Sequence, residues 1–242
     1  MIFFSPAAQP SVELLGITIT DPITSVTGLM ITALCGVFCY GMRHFNFKDP
    51  ILLYMFAFQA LLGLSSFFGA LFGHAFQHNL GVAWKIPGWQ LGMYAAFCIA
   101  QATLLRLYGN KEKDRYRKIT RINTLLLCLC AMMNLIQLKL AWVEVYTAIG
   151  LVGFMVTGEY MIFKKGAQKI SRLMMSAVVP MLFAVTFHLL KCSISIWFNY
   201  FDIAHIFMCA TAWYFYRAAQ EQSAITEPYS IPSDMAYLPN QP

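Results

Sequence analysis

The residues of this chain whose types and spacing could do chemistry are two histidines four apart, His74 and His78, and the series Asp202, His205 and Cys209. On a helix, side chains three or four residues apart share a face, so each set forms a stripe. With His188 added, these stripes offer imidazole, carboxylate and thiolate groups, the donors zinc prefers. Three such ligands and one open position would hold a water of lowered pKa. The ligand set read from the sequence is His74, His205 and one of His78, His188 or Cys209. Asp202 would orient a ligand or serve as general base on that water. The same acid and imidazoles could instead form a polar clasp between helices, or a proton-sensitive element, because histidine titrates near physiological pH.

The elements that must position these groups are read from composition. Of 242 residues, 59% are hydrophobic and 12% charged, against about 45–50% and about 25% in soluble domains. A soluble fold, disorder, collagen and a nucleic-acid-binding role fall away. A bilayer core of about 30 Å needs about 20 helical residues, and seven apolar runs supply them: Pro22 to Gly41, Ile51 to Ala75, Ile86 to Leu107, Ile119 to Leu138, Trp142 to Phe163, Leu173 to Leu190 and Ser195 to Tyr216. The expected fold is an all-α, polytopic bundle of seven transmembrane helices over residues 1–217. A polar tail, 218–242, is expected to be disordered and cytoplasmic.

Every lysine and arginine except Lys85, Lys139 and Lys191 falls on one side of this arrangement, which predicts an outer amino terminus and an inner carboxyl terminus. His74, His78, His188, Asp202 and His205 then lie near the outer level, with Asp21 and Glu144. Met1 to Asp21 holds no lysine or arginine and no long apolar core, so no cleavable signal is expected and the first run serves as targeting signal. The seven cysteines lie in or at the edge of apolar runs and are expected to be reduced.

Other residues read as packing. Gly28, Thr32 and Gly36, and Ser65, Gly69 and Gly73, are small-residue stripes that predict close helix contact. Pro180 predicts a kink in the sixth run. Gln59, Gln101, Asn134 and Gln137 are expected to bond between helices. Glu159 is expected to snorkel toward Lys164 and Lys165. There is no phosphate loop, HExxH, GxSxG or CxxC pattern.

Asp21-Pro22-Ile23-Thr24-Ser25 before the first run, Ser65-Ser66 and His74 in the second, and Asp202-Ile203-Ala204-His205 in the seventh resemble the CREST superfamily. That group includes the alkaline ceramidases and the progestin and adiponectin receptor relatives. The resemblance implies a seven-helix frame with a zinc site that hydrolyses a lipid amide. In that family the second helix gives a serine and a histidine, the third an aspartate, and the seventh a His-xxx-His pair. Carried onto this chain, it implies His74 as the second-helix ligand, with Ser66 as the nearest serine to position the substrate carbonyl. His205 stands for the first histidine of the pair and Cys209 falls where the second would be, while the third run holds no aspartate.

The expectation is therefore an integral membrane protein, either a zinc-dependent hydrolase of a lipid amide or ester with its site near the outer side, or a non-enzymatic receptor, transporter or structural subunit. The expected partners are the bilayer, a lipid substrate or ligand, and an oligomer or larger assembly.

Overall fold

Proline at the start of each of the first two long helices sets the frame. In the computed structural model, which describes residues 3–4, 10–109, 111–166 and 168–226, Pro22 opens α1 (Pro22–Met42) and Pro50 opens α2 (Pro50–Phe68). Each stands where a missing N–H costs nothing and a fixed φ is already helical. Ahead of α1, β2 (Ser11–Leu14) and β3 (Ile17–Thr20) form a two-stranded hairpin, turned by Leu15 and Gly16, both at positive φ. A turn of this hand matches strand twist. The short strand β1 (Phe3–Phe4) pairs with β4 (Cys192–Ser193).

Beyond α2, a π-helical segment, Gly69–Ala75, carries the chain to a short helix α3 (Gln77–Leu80) and a 3-10 turn, Val82–Lys85. Helices α4 (Ile86–Tyr108) and α5 (Lys113–Gln137) follow. Leu138, left-handed at φ 53°, ends α5, and the Asn134 side-chain amide donates to the Lys139 carbonyl at 3.0 Å. The turn between the fourth and fifth runs is thus closed by a residue that cannot continue the helix. Then come α6 (Ala141–Ala148), a second π segment (Ile149–Val156) and α7 (Thr157–Lys164) as one rod. The sixth run is interrupted at Ala177 between α8 (Gln168–Ser176) and α9 (Val178–Leu190). Pro180 has no N–H to give the carbonyl of Ser176, where α8 stops.

Among the described residues, six stretches are long and apolar enough to cross a bilayer: Pro22–Met42, Pro50–Ala75, Val82–Tyr108, Lys113–Gln137, Ala141–Lys164 and Lys169–Leu190. The chain is an all-α, multi-pass membrane protein. The last helix, α10 (Tyr200–Thr226), is not among the six. It starts five residues later than the run expected from Ser195, because residues 195–199 form a turn in which Phe198 accepts from the Ile194 and Ser195 amides. It also continues through Thr226 with Ala218 and Ala219 buried, so the first part of the expected tail is helical core. Residues 227–242 of that tail lie outside the described residues.

The core gathers around α4, where Met93 and Ile99 meet Met55 and Phe58 of α2, Tyr146 of α6 and Phe215 of α10. Small residues do bring helices together, at a shifted register. A Cβ on Gly28 would meet the Ala70 Cβ at 2.9 Å and one on Gly63 the Cys35 Cβ at 2.9 Å, whereas Gly36, Gly69 and Gly73 face open space. Gln59 donates to the Ala212 carbonyl at 2.8 Å, Gln101 accepts from Thr120 at 3.0 Å, and Asn134 accepts from Gln90 at 2.9 Å. These are the interhelical bonds expected of them. Gln137 instead accepts locally from the Trp142 indole, at 3.1 Å.

One acid departs from expectation. Glu159 does not reach for Lys164 and Lys165. It is fully buried and accepts from the Arg106 guanidinium through both oxygens, 2.6 Å to Oε1, and also from Thr103 at 2.9 Å and Ser171 at 2.8 Å. Lipid offers no partner to a buried carboxylate, and an arginine one helix away satisfies it more fully than a snorkelling lysine. All seven cysteines are free.

Candidate functional site

The end of the bundle opposite Glu159 holds a second polar centre, built by the starts of α1 and α10 and the π-helical end of α2. In that π segment the Phe76 amide reaches back five residues to the Leu71 carbonyl, at 2.8 Å. Such a bulge widens the turn and re-aims side chains, and π-bulges often sit at functional sites. Here it turns His74 inward, where its ring packs edge-on against Phe201 (5.1 Å between centroids) and lies 6.2 Å from the ring of His205.

Asn199 caps α10. Its side-chain oxygen accepts from the Phe201 amide at 2.8 Å, and Asp202 Oδ2 accepts from the Asn199 amide at 2.7 Å. This is a reciprocal capping box, an N-cap residue and an acid three positions on. The second Asp202 oxygen, Oδ1, accepts from Thr27 of α1 at 3.0 Å, and the Asn199 amide group donates to Thr24 Oγ1 at 3.2 Å. Thr24 and Thr27 share a face of α1, so one stripe of hydroxyls fastens α1 to α10. Thr27 Oγ1 also lies 2.8 Å from His205 Nδ1. A hydroxyl has one proton, and that of Thr27 has the Thr24 carbonyl in reach at 3.1 Å as well as Asp202; with the proton on either oxygen, His205 donates from Nδ1 and its Nε2 is left as an acceptor.

Asp21 is different. It precedes α1 in a left-handed conformation, φ 47° and ψ 57°, held by its amide bonding to the Pro10 carbonyl at 2.8 Å, and its side chain does not cap the helix. The residue is 1% exposed, yet neither carboxylate oxygen accepts a hydrogen bond from any described residue. Its nearest cationic candidate is His74, whose Nδ1 stands 3.6 Å from Oδ2, beyond hydrogen-bond reach, and is itself buried without a partner.

Of the residues expected at the site, the structure brings His74, His205 and Asp202 to one place. His78 does not join them: the break at Phe76 (φ −104°) ends the common face with His74 and leaves His78 exposed on α3. His188 lies behind the Phe201 ring, 5.2 Å from its centroid, with Nε2 3.5 Å from Glu144. Cys209 packs with the apolar cluster of Ile31, Cys35 and Ala212. Ser66 sits where α1 crosses α2, its carbonyl flanking Gly28. Among the described residues, no group of three or more His, Cys, Asp or Glu is placed to hold a metal ion. The donor types at this centre, the imidazoles of His74 and His205 with the carboxylates of Asp21 and Asp202 beside them, are those that zinc takes.

Sequence reasoning left Asp21 outside its ligand set, quoted Thr24 only within the motif before the first run without giving it a role, and missed Thr27 and Asn199. The signal for the cap was present, since Asn199-Tyr200-Phe201-Asp202 has the spacing of a capping box.

The profile of one family, described only as a family of unknown function, DUF6962, matches residues 23–224, from the start of α1 to the last turns of α10. The chain belongs to this family. The DUF6962 match takes in His74, Asp202 and His205 and begins two residues after Asp21. No curated protein and no solved structure matches the chain.

Proposed function

We propose that this protein is a non-enzymatic ligand-binding component of the membrane, a seven-helix bundle with α10 as seventh span and the amino-terminal hairpin outside. Its outer centre takes a positively charged, hydrogen-bond-donating group on Asp21. One observation carries this: a carboxylate 1% exposed with no donor to either oxygen. Burying such a charge without a partner costs several kcal/mol (about the effective penalty per ion), so a partner that supplies N–H groups is strongly favoured there. An ammonium brings three donors, and beside Asp21 stand His74 Nδ1 at 3.6 Å, itself without a hydrogen-bond partner, and the His205 ring, 6.2 Å from that of His74. Asp202 does not serve as general base in this reading, because both its oxygens are engaged in the cap and in the link to Thr27.

The test is thermal unfolding of the purified full-length protein in nanodiscs, titrated with ethanolammonium chloride against sodium chloride at equal ionic strength. The expected result is a rise in Tm for the wild type, as mass action requires of a ligand that binds the folded state, and no rise for Asp21→Asn. No rise in the wild type overturns the proposal. Stoichiometric zinc retained through purification, and lost in His74→Gln and in His205→Gln, overturns it in favour of the zinc-dependent hydrolase implied by the CREST resemblance.

A further inference from the structure

Helix α5 buries one face and offers the other to the bilayer. Asn123, Leu127, Cys130, Ala131 and Asn134 are buried against the bundle, while Leu125, Leu129, Met132 and Ile136 are exposed, Leu125 at 69% and Ile136 at 68%. At about 100° per residue, those four point within about 40° of a common direction. Continued toward the helix start, the same direction meets Arg121 one turn on and Lys118 two turns on, with Arg117 on the flank. All three are exposed.

Of the acids of this segment, Asp114 falls near the same direction, four residues before Lys118. Glu112 pairs with Arg115 at 3.1 Å, and Asp114 approaches Arg117 at 3.7 Å with its own side chain fully exposed. Among the described residues Lys118 and Arg121 make no ion pair. From Leu125 the rise to Arg121 is about 6 Å and to Lys118 about 10 Å. The two cations therefore stand where an apolar stripe facing acyl chains gives way to headgroups. This is the end of the bundle that holds the Arg106–Glu159 pair and Lys169–Glu221.

We propose that Lys118 and Arg121, flanked by Arg117, form a binding surface for the phosphate of an anionic phospholipid whose acyl chains lie along Leu125, Leu129 and Met132. The register decides the partner. A basic stripe directed away from the bilayer would suit a soluble acidic partner, whereas one continuous with the lipid-facing stripe meets the headgroup layer first. An arginine fork and an ammonium then match phosphate oxygens by geometry and by charge. This proposal is independent of the Asp21 centre and survives its failure.

Native mass spectrometry of the full-length protein, released from detergent with added phosphatidylglycerol or phosphatidylcholine, tests it. The wild type is expected to hold phosphatidylglycerol about tenfold more tightly than phosphatidylcholine, and the double variant Lys118→Ala/Arg121→Ala to lose most of that preference. Lys164→Ala/Lys165→Ala, which removes the same charge from another helix at the same end, is expected to keep it. Equal loss in both double variants, or an undiminished preference in Lys118→Ala/Arg121→Ala, overturns the proposal. These side chains are exposed, so an unchanged thermal transition in each variant certifies the comparison.

Discussion

Two buried carboxylates stand at opposite ends of this bundle, and their surroundings differ completely. Glu159 accepts from an arginine through both oxygens and from two hydroxyls. Asp21, buried to the same degree, accepts from nothing described and only approaches a histidine at 3.6 Å. A saturated ion pair between α4, α7 and α8 has no valence left for a ligand, and so it works as a fastening. Asp21, held in a left-handed turn beside the His74 imidazole, keeps both oxygens free of hydrogen bonds from described residues, which is what the proposed binding requires.

The largest effect expected from this contrast is at the saturated end. Arg106→Met leaves Glu159 buried without its charge partner and should destabilise by about 3–5 kcal/mol, the cost of breaking rather than replacing a buried pair. The double variant Arg106→Met/Glu159→Leu should recover most of that loss, since an apolar pair of similar volume is often neutral. Thermal unfolding in nanodiscs measures both. If the double variant is as unstable as the single, the pair is not self-contained and the contrast with Asp21 weakens.

Next in size is Asp202, the residue that spacing alone presented as chemical. Asp202→Ala removes the acceptor for the Asn199 amide and for Thr27, and a lost helix cap of this kind costs about 1–2 kcal/mol. Asp202→Asn keeps a side-chain oxygen and should cost less than half as much. Under the capping role, ethanolammonium stabilises Asp202→Asn as it does the wild type. Loss of that stabilisation with an unchanged transition would return Asp202 to the site.

Much of the frame was legible because its causes are local and periodic. Apolar runs near 20 residues, prolines at helix starts, a break near Pro180 and the amides Gln59, Gln101 and Asn134 are each visible in one stretch of chain. The pairing of Glu159 with Arg106 was not, because it joins positions far apart in sequence, and nearby lysines offered a cheaper reading. The centre itself was legible as a neighbourhood and illegible in its roles. His74 and His205 meet, but the π turn that separates His74 from His78 leaves no mark in residue spacing. The clearest case is a repeated dipeptide. Asp49-Pro50 and Asp21-Pro22 look alike, yet Asp49 is extended (φ −74°, ψ 112°) and its side chain accepts from the Ile51 amide at 2.9 Å, as a cap should. Asp21 follows a hairpin whose closing bond to Pro10 sets a left-handed backbone, and that turns the carboxylate from the helix end toward His74. Only the three-dimensional path of the hairpin separates a cap from a free acid.

The smallest expected change in stability is therefore at Asp21, and its sign carries the meaning. An acid that caps a helix loses about 1 kcal/mol on truncation, so Asp49→Ala should lower Tm. Asp21→Asn removes a buried charge that accepts no hydrogen bond from any described residue, and it keeps the shape. It should leave Tm unchanged or raise it by the equivalent of up to about 1 kcal/mol, while the response to ethanolammonium disappears. Stability retained or gained as binding is lost is the signature of a group kept for a ligand, at a standing cost to the fold. A clear fall in Tm for Asp21→Asn, matching that of Asp49→Ala, would mean that the carboxylate is structural after all. The two ends of the bundle would then differ only in how their acids are fastened.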